Sequence, residues 1–248
     1  MKTPAFSHMG GKARLRKWLL QYFPDSGRRY CEPFAGKANV YFAARLQLQF
    51  TSWMLADIDP RFLIALSCAN FDKLPDSVSK DEFSFWVKAA SVNGDLQQVS
   101  WLIEPRITYA GKGYRYGYNG SSGTHVGYSG SNYRKVCEAA RGLIQGVSIW
   151  QRSWESMLPM LEAGDFAYLD PPYYETLASF ENVDHVQLID ALNTAKFDWA
   201  ISGYRSDLYD TRLEFKCRFE CERNSEIKSS NSGKREGVIE TLWTNYEL

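Results

Sequence analysis

This sequence of 248 residues has few cysteines, and they are scattered along the chain. The five cysteines are odd in number and include no pair of CxxC motifs, so the spacing of a zinc site is missing. They are Cys31, Cys68, Cys137, Cys217 and Cys221. Reduced thiols in a cytoplasmic protein are the simplest interpretation. The sequence also lacks an apolar leader region and any window that approaches a membrane span, which agrees with a cytoplasmic location.

Excess charge of either sign is also missing. Lys and Arg together number 29, as do Asp and Glu, so affinity for nucleic acid has to come from local patches. Only three histidines occur, and no nucleophile triad is apparent, so a histidine-centred site has no support. Repeats, heptads and long linkers are absent as well.

One segment lacks acids altogether. Between Pro105 and Cys137 there is no Asp or Glu, while Arg, Lys and Tyr alternate with glycine. Arginines can read guanine edges, lysines can contact phosphates and tyrosines can contact sugars or replace a displaced base. The composition therefore indicates a nucleic-acid recognition segment that orders on binding. A surface loop without a partner is the alternative interpretation.

The order of hydrophobic runs predicts an α/β fold. Residues 10–23 predict an amphipathic helix with a basic face. A strand, a glycine turn, a helix and the strand FTSWMLADID then form a βαβ unit that is typical of nucleotide binding. Later segments predict short helices over 74–103, a helix from about residue 134, strands at GVSIWQRSW and DFAYLDPPY, a helix over 183–195 and a strand at DWAISGY.

The turn CEPFAGKAN brings backbone close to a ligand through Gly36, and the next strand ends in acids. Asp57 is placed to accept hydrogen bonds from both ribose hydroxyls of a nucleoside, and Ile58 offers an apolar face for its base. A plain strand-to-helix turn, with Asp57 as a helix cap, is the competing interpretation.

The run DPPY, from Asp170 to Tyr173, is poor turn chemistry but well suited to holding an amino group. Two prolines donate nothing and keep the chain extended, so the segment offers the Asp170 carboxylate and the Pro171 carbonyl as acceptors. Two acceptors match the two hydrogens of an exocyclic amine, and the ring of Tyr173 can stack on a flat base. An ordinary Asp-Pro-Pro turn is the alternative.

These motifs together resemble the Dam-type DNA adenine methyltransferases. MGGK, EPFAGKAN, LADID, a variable region, DPPY, ISGY and the loop SSNSGKRE occur in that family's order. The resemblance implies a Rossmann-like fold with a mixed, mostly parallel sheet and helices on both faces. It implies a catalytic domain over residues 1–59 and 134–248 and an inserted recognition subdomain over 60–133.

The resemblance also implies roles for individual residues. Catalytic residues are Asp170, Pro171, Pro172 and Tyr173. Cofactor-binding residues are Met9, Gly11, Lys12, Glu32, Pro33, Phe34, Gly36, Asp57, Ile58, Ser153, Trp154 and Asp170. DNA-binding residues are Lys112, Arg115, Tyr116, Tyr118, Asn132, Arg134, Lys135, Ser230, Asn231 and Lys234.

The implied reaction is methylation of adenine N6 in duplex DNA, with base flipping, S-adenosyl-L-methionine as cofactor and no metal. The product cofactor is S-adenosyl-L-homocysteine. The expected setting is the cytoplasm of a bacterial or phage-infected cell, with double-stranded DNA as partner and the chain a monomer or weak dimer. A cognate restriction endonuclease, as in restriction-modification, is left open.

Two departures from the family pattern stand out. The turn has Ala38 in place of a motif glycine and Lys37 as an added charge, and the recognition segment has glycine–tyrosine alternation in place of the family's hairpin sequence. Other amino groups on planar systems suit the same chemistry, so cytosine N4, RNA and protein glutamine remain alternative targets. A methyltransferase-like DNA-binding protein without activity is a further alternative.

Overall fold

The computed structural model describes residues 3–7, 11–111, 113–114, 117–118, 128–174, 183–228 and 235–248. For residue 110, and for 223–228 and 235–237, the description covers the backbone alone.

The strands form a seven-stranded sheet in the order β3-β2-β1-β4-β5-β7-β6. Their bounds are β1 (Ser26–Glu32), β2 (Gln49–Asp57), β3 (Ser148–Gln151), β4 (Asp165–Leu169), β5 (Asp198–Tyr204), β6 (Cys217–Lys228) and β7 (Arg235–Thr244). β4 is parallel to both β1 and β5, whereas β7 is antiparallel to β5 and to β6. The sheet is therefore mixed, and the predicted Rossmann-like α/β class is confirmed.

The register of the central strands places the motif DPPY. Cys31 of β1 lies opposite Ala167 of β4, and Leu169 of β4 lies opposite Ile201 of β5. All five residues of β4 are buried, as expected of a central parallel strand that is covered on both faces. The segments that follow β1, β4 and β5 consequently leave the sheet at one edge, the carboxyl edge, where open α/β sheets bind ligands.

The helices are α1 (Arg16–Leu19), α2 (Asn39–Gln47), α3 (Arg61–Cys68), α4 (Lys80–Ala89), α5 (Asp95–Ile107), α6 (Gly130–Ile144), α7 (Trp154–Met157), α8 (His185–Asn193) and α9 (Asp207–Arg212). Several begin at side-chain caps. Ser79 and Glu82 form a capping box at the start of α4, and Asp184 accepts from the Gln187 N–H at the start of α8. The predicted helices after the glycine turn and over 183–195 are confirmed as α2 and α8.

One predicted element is wrong. The continuous helix predicted for 10–23 is not formed over the described residues 11–23: a 3-10 turn at Lys12–Arg14, α1 and a second 3-10 turn at Leu20–Tyr22 follow one another. Their basic residues are not all solvated, because Lys12 is only 2% exposed and the Arg16 guanidinium donates to the carbonyl of Pro4 at 2.7 Å. Tertiary contacts of the basic side chains override the simple helical pattern here.

Contacts divide the chain into two units that alternate along the sequence. The first unit comprises residues 1–21, 35–49 and 57–151, and the second comprises 22–34, 50–56 and 152–248. The predicted recognition insert, 60–133, belongs entirely to the first unit, which also contains α2 and α6. The domain boundaries given above stay a prediction.

Each unit has its own aromatic core. In the first, Phe6 packs against Phe42 and Phe62, with ring centroids 5.8 Å and 4.8 Å away. In the second, Phe23 packs against Phe166 and Tyr168, at 5.0 Å and 5.1 Å. Aromatic side chains bury large apolar areas, so these contacts contribute to the core of each unit.

Candidate active-site residues

The glycine turn of the first unit is tied to Asp57. The Gly36 N–H donates to Asp57 Oδ2 at 2.7 Å, and the Asp59 N–H donates to Oδ1 at 2.9 Å. Burial raises the pKa of Asp57, and these two N–H donors and the charge of Lys37 oppose that rise. The N-cap of α3 is Pro60, so Asp57 does not cap that helix. Each carboxylate oxygen keeps further acceptor capacity for a hydroxyl.

Two residues of this turn have left-handed backbone. Gly36 has φ 51° and Ala38 has φ 54°, and Ala38 is the one described non-glycine residue with positive φ. A left-handed alanine costs about 1–2 kcal/mol because its Cβ approaches the following carbonyl. The turn thus keeps the backbone path of a glycine-rich loop even though position 38 is alanine.

Other predicted cofactor residues of the first unit differ in exposure. Ile58 is 46% exposed and follows the half-buried carboxylate of Asp57 in the chain. Lys12 is buried, and Gly11 precedes it in extended conformation. Lys37 places its Nζ 4.7 Å from the centre of the Phe62 ring, a cation–π contact. Burial lowers the pKa of Lys37, and the charges of Glu104, Asp59 and Asp57 counteract this.

In the second unit, the end of β1 carries a buried acid. Glu32 is 3% exposed and accepts a hydrogen bond from the Tyr30 hydroxyl at 2.6 Å. Pro33 is buried and Phe34 is half-buried. Glu32 ends β1, the strand adjacent to β4, and Pro33 and Phe34 follow it, so all three lie at the same carboxyl edge of the sheet as Asp170.

Asp170 directly follows β4 and is oriented by β5. The Ser202 hydroxyl donates to Asp170 Oδ1 at 3.1 Å, and the Tyr168 hydroxyl lies 2.9 Å from the same Ser202 oxygen. Burial raises the pKa of Tyr168, and the charge of Asp170 adds to this. Tyr168 therefore stays protonated as part of a hydrogen-bonded chain that ends on one oxygen of Asp170.

Tyr173 is held by the neighbouring strands of the same unit. Its ring meets Tyr204 edge to face, with centroids 4.5 Å apart and an interplanar angle of 74°. Its hydroxyl donates to Glu240 Oε1 on β7. Pro171 is buried, whereas Pro172 and Tyr173 are partly exposed. The Tyr173 ring of the motif is therefore held by one hydrogen bond, to Glu240, and by one aromatic contact, with Tyr204.

His185 supports the motif backbone. It hydrogen-bonds the backbone of Pro172, which must be the carbonyl because proline has no N–H. Its Nδ1 lies 2.7 Å from the Tyr209 hydroxyl, and its ring contacts Tyr174 at 5.4 Å. Burial lowers the pKa of His185, although the Pro172 bond and the Asp184 charge act against this. The imidazole is consequently neutral at pH 7.

This neutral histidine predicts a pH dependence of stability. A histidine whose pKa is lowered by folding stabilises the fold fully above its ordinary pKa of about 6.5, and stability falls as pH drops through that value. The melting temperature of the wild type is expected to decrease more between pH 7.5 and 5.5 than that of His185→Gln. Circular dichroism measures both. Equal decreases in the two proteins would contradict the assignment.

The pair Ser153-Trp154 begins α7. Ser153 is the N-cap residue but makes no side-chain capping bond, and Trp154 is 5% exposed. The indole thus belongs largely to the core of the second unit, and the predicted contact of this pair with the cofactor adenine stays a prediction.

Several predicted DNA contacts are engaged within the first unit. The Arg134 guanidinium donates to the carbonyls of Phe71 at 2.9 Å and Leu74 at 3.0 Å, and the Tyr118 hydroxyl donates to the Val78 carbonyl at 2.8 Å. Asn132 and Lys135 are exposed on α6. Asn132 and Lys135 are therefore the described residues of this set that present their side chains to solvent. Their contact with DNA stays a prediction.

Other tyrosines of the acid-free segment also anchor that unit. The hydroxyls of Tyr114, Tyr128 and Tyr133 donate to the carbonyls of Ser100, Pro75 and Leu102, at 3.0, 2.9 and 2.6 Å. Seven predicted site residues lie outside the described residues: Met9, Lys112, Arg115, Tyr116, Ser230, Asn231 and Lys234.

The structure adds Glu240, His185 and Ser202 to the surroundings of the motif. The position of Glu240 could have been recognised from the sequence, because alternation along β7 puts it on the same face of the sheet as Val238 and Leu242. An acid in register with apolar residues indicates a buried carboxylate with a specific partner. Ser202 and His185 had no comparable local signal.

Over the described ranges, no helix is long and apolar enough to cross a membrane. Among those same residues, no three His, Cys, Asp or Glu side chains are grouped in a way that could hold a metal ion.

Comparison with known proteins gives two sequence matches of different extent. Residues 8–91 match the D12 class N6 adenine-specific DNA methyltransferase family. The Retron Ec67 DNA adenine methylase of Escherichia coli is 27% identical over 192 residues, which cover 69% of this chain and 64% of that relative. The chain thus spans less than two thirds of the relative's length.

Solved structures that resemble the chain include TrmN from Thermus thermophilus and a METTL16 methyltransferase domain. TrmN is 13% identical with a TM-score of 0.42, covering 94% of this chain and 47% of TrmN. The METTL16 domain is 11% identical with a TM-score of 0.42, covering 95% and 82%. The match to the D12 class N6 adenine-specific DNA methyltransferase family is therefore a similarity of residues 8–91, and the remaining residues lie outside it.

Proposed function

We propose that this chain transfers a methyl group from S-adenosylmethionine to the N6 amino group of an adenine in duplex DNA. The observation that carries the proposal is the geometry of Asp170, whose Oδ1 is fixed by Ser202 at the carboxyl end of β4. The similarity of residues 8–91 to the D12 class family and the name of the E. coli relative support adenine in DNA as the substrate.

The first unit has the donor set that a nucleoside cofactor requires. Gly36 provides a close backbone approach before α2, Asp57 provides carboxylate oxygens for ribose hydroxyls, and exposed Ile58 provides an apolar surface for adenine. Lys12 completes the proposed set of this unit. The residues present therefore fit S-adenosylmethionine.

When bound, the cofactor supplies a methyl group on a sulfonium sulfur, which is electrophilic and leaves S-adenosylhomocysteine after transfer. Asp170 and the Pro171 carbonyl accept the two N–H hydrogens of the target amine. This turns the nitrogen lone pair out of conjugation and orients it for attack. As the nitrogen–carbon bond forms, the Asp170 carboxylate stabilises the positive charge on nitrogen, and the proton leaves to Asp170 or to water.

An amino group inside a duplex is inaccessible to such a pair of acceptors, so the adenine is flipped out of the helix. Tyr173 stacks on the displaced base, a contact that contributes about 1–3 kcal/mol. Exposed Asn132 and Lys135 on α6 are placed to contact the duplex, with Lys135 suited to a phosphate.

The test is methylation of mixed-sequence duplex DNA with labelled S-adenosylmethionine, followed by nucleoside analysis. N6-methyladenine is the expected product. N4-methylcytosine, or label in RNA or protein only, would show one of the alternative amine targets. Cofactor binding without transfer to any of these acceptors would indicate an inactive binding protein.

Asp57→Ala is expected to weaken S-adenosylmethionine binding by about 10- to 100-fold, since each hydrogen bond to a charged group contributes about 1.5–3 kcal/mol. DNA affinity is expected to change little. Asp59→Ala is the matched control, because Asp59 is exposed and pairs with Arg61 at 2.6 Å. Calorimetry with S-adenosylhomocysteine measures both variants. An equal loss of cofactor affinity in the two variants would show that Asp57 only supports the structure of the turn.

A further inference from the structure

Glu240 is a fully buried carboxylate at the centre of β7. It lies opposite Tyr204 of β5 and Cys221 of β6, and its exposed fraction is 0%. Burying a carboxylate in a sheet is costly unless hydrogen bonds compensate for the lost water. A residue of this type in this position therefore calls for a specific partner.

That partner belongs to the motif DPPY. The Tyr173 hydroxyl donates to Glu240 Oε1, and the Tyr173 ring rests against Tyr204, the residue directly opposite Glu240 in the sheet. The ring is consequently fixed at its hydroxyl end by β7 and along its side by β5. Rotation of the ring away from this orientation would break the hydroxyl bond and leave Glu240 with one donor fewer in the core.

The direction of this hydrogen bond is set by charge. Burial raises the pKa of Tyr173, and the charges of Asp170 and Glu240 raise it further. The phenol is therefore protonated throughout the neutral range and acts as donor to the carboxylate. A charge-assisted bond of this kind is stronger and more directional than one between neutral groups.

We propose that Glu240 is a positioning residue, which holds the Tyr173 ring in the orientation that receives the planar target base. An apolar side chain at position 240 would fill the sheet without the cost of burying a charge. The carboxylate instead fixes one rotamer of the tyrosine that stacks on the substrate. This inference rests on the proposed methyl transfer to adenine.

The test compares Glu240→Met, Glu240→Gln and Tyr173→Phe with wild type. Glu240→Met removes the acceptor and is expected to lower kcat on the order of 10²-fold, the cost of a misplaced reacting group. Glu240→Gln keeps an acceptor oxygen and is expected to stay within about fivefold of wild type. Cofactor affinity, measured by calorimetry, is expected to be unchanged in all three variants.

Two further measurements separate positioning from stability. With 2-aminopurine at the target position, Glu240→Met is expected to show a smaller fluorescence change on binding, because the displaced base is held less well. Thr241→Val is the control: Thr241 is the next residue on the same strand, and its buried Oγ1 has no partner within the described part of the chain. It is expected to keep wild-type kcat.

The double variant Glu240→Met with Tyr173→Phe is expected to be no slower than the slower single variant, since both remove the same bond. Multiplied losses would overturn the proposal, as would a wild-type kcat in Glu240→Met together with a lower melting temperature. If Glu240→Met does not fold, Tyr173→Phe carries the test, and a wild-type kcat there overturns it. A wild-type chain that methylates no adenine refutes the proposed function itself.

Discussion

Asp170→Ala is expected to lower kcat for methyl transfer by on the order of 10²- to 10³-fold, the cost of losing one well-placed polar group that stabilises charge in a transition state. Asp170 lies at the end of β4 with Oδ1 fixed by Ser202, so its removal takes away an oriented acceptor. The fold is expected to survive, because the side chain follows the strand and is partly exposed. Single-turnover methylation and a melting curve measure the two effects.

Three companion variants sharpen this expectation. Asp170→Asn keeps one acceptor oxygen and is expected to lose less activity than the alanine variant. Ser202→Ala frees the orientation of Asp170 and is expected to give an intermediate loss. Asp190→Ala, an exposed acid of α8 that pairs with Arg212 at 3.5 Å, is expected to be neutral. A kcat for Asp170→Ala within tenfold of wild type, only about 1.4 kcal/mol, would contradict the proposed role.

Gly130→Ala is expected to destabilise the first unit by about 3 kcal/mol, the upper end of the usual cost of forcing extra atoms into a packed site. A Cβ at this position would meet the Pro75 carbonyl oxygen at 2.1 Å and the Asp76 Cα at 2.6 Å, both of them backbone atoms. The Gly130 N–H also donates to the Asp76 carbonyl at 2.9 Å, so the two segments cannot separate without losing that bond.

The same helix supplies the control. Gly142 lies near the end of α6, and a Cβ there would meet nothing within 4 Å. Gly142→Ala is expected to stabilise the protein by about 0.5–1 kcal/mol, since alanine is the better helix former. Urea denaturation of both variants measures the contrast. Similar stability of the two would show that the Pro75–Asp76 segment yields readily, and would remove the steric role of Gly130.

The elements around the motifs were predictable because their local pattern and their tertiary environment agree. The predicted strand DWAISGY is β5 over its whole length. The helix predicted after the glycine turn is α2. Buried central strands of a parallel sheet read as continuous apolar runs, and DPPY ends such a run abruptly. A segment can be predicted from sequence when its local pattern and its tertiary environment favour the same structure.

The roles of the arginines and tyrosines could not be read in the same way. A guanidinium suits a guanine edge and a backbone carbonyl equally well, and sequence does not show which carbonyls lack donors. Arg134 and Arg141 supply such donors, Arg141 by way of the Leu66 carbonyl at 2.9 Å. Short helices end in carbonyls that need partners, and these partners come from far along the chain.

The conformation of Ala38 bears on how this turn can vary among related genes. A left-handed site excludes β-branched side chains and favours glycine, with asparagine and aspartate as the nearest tolerated types. Alanine and glycine codons differ at their second base alone, so the exchange between them needs a single nucleotide change. Position 38 can therefore alternate between these two residues during divergence while the backbone path stays the same. A search pattern that demands glycine at this position would overlook sequences such as this one.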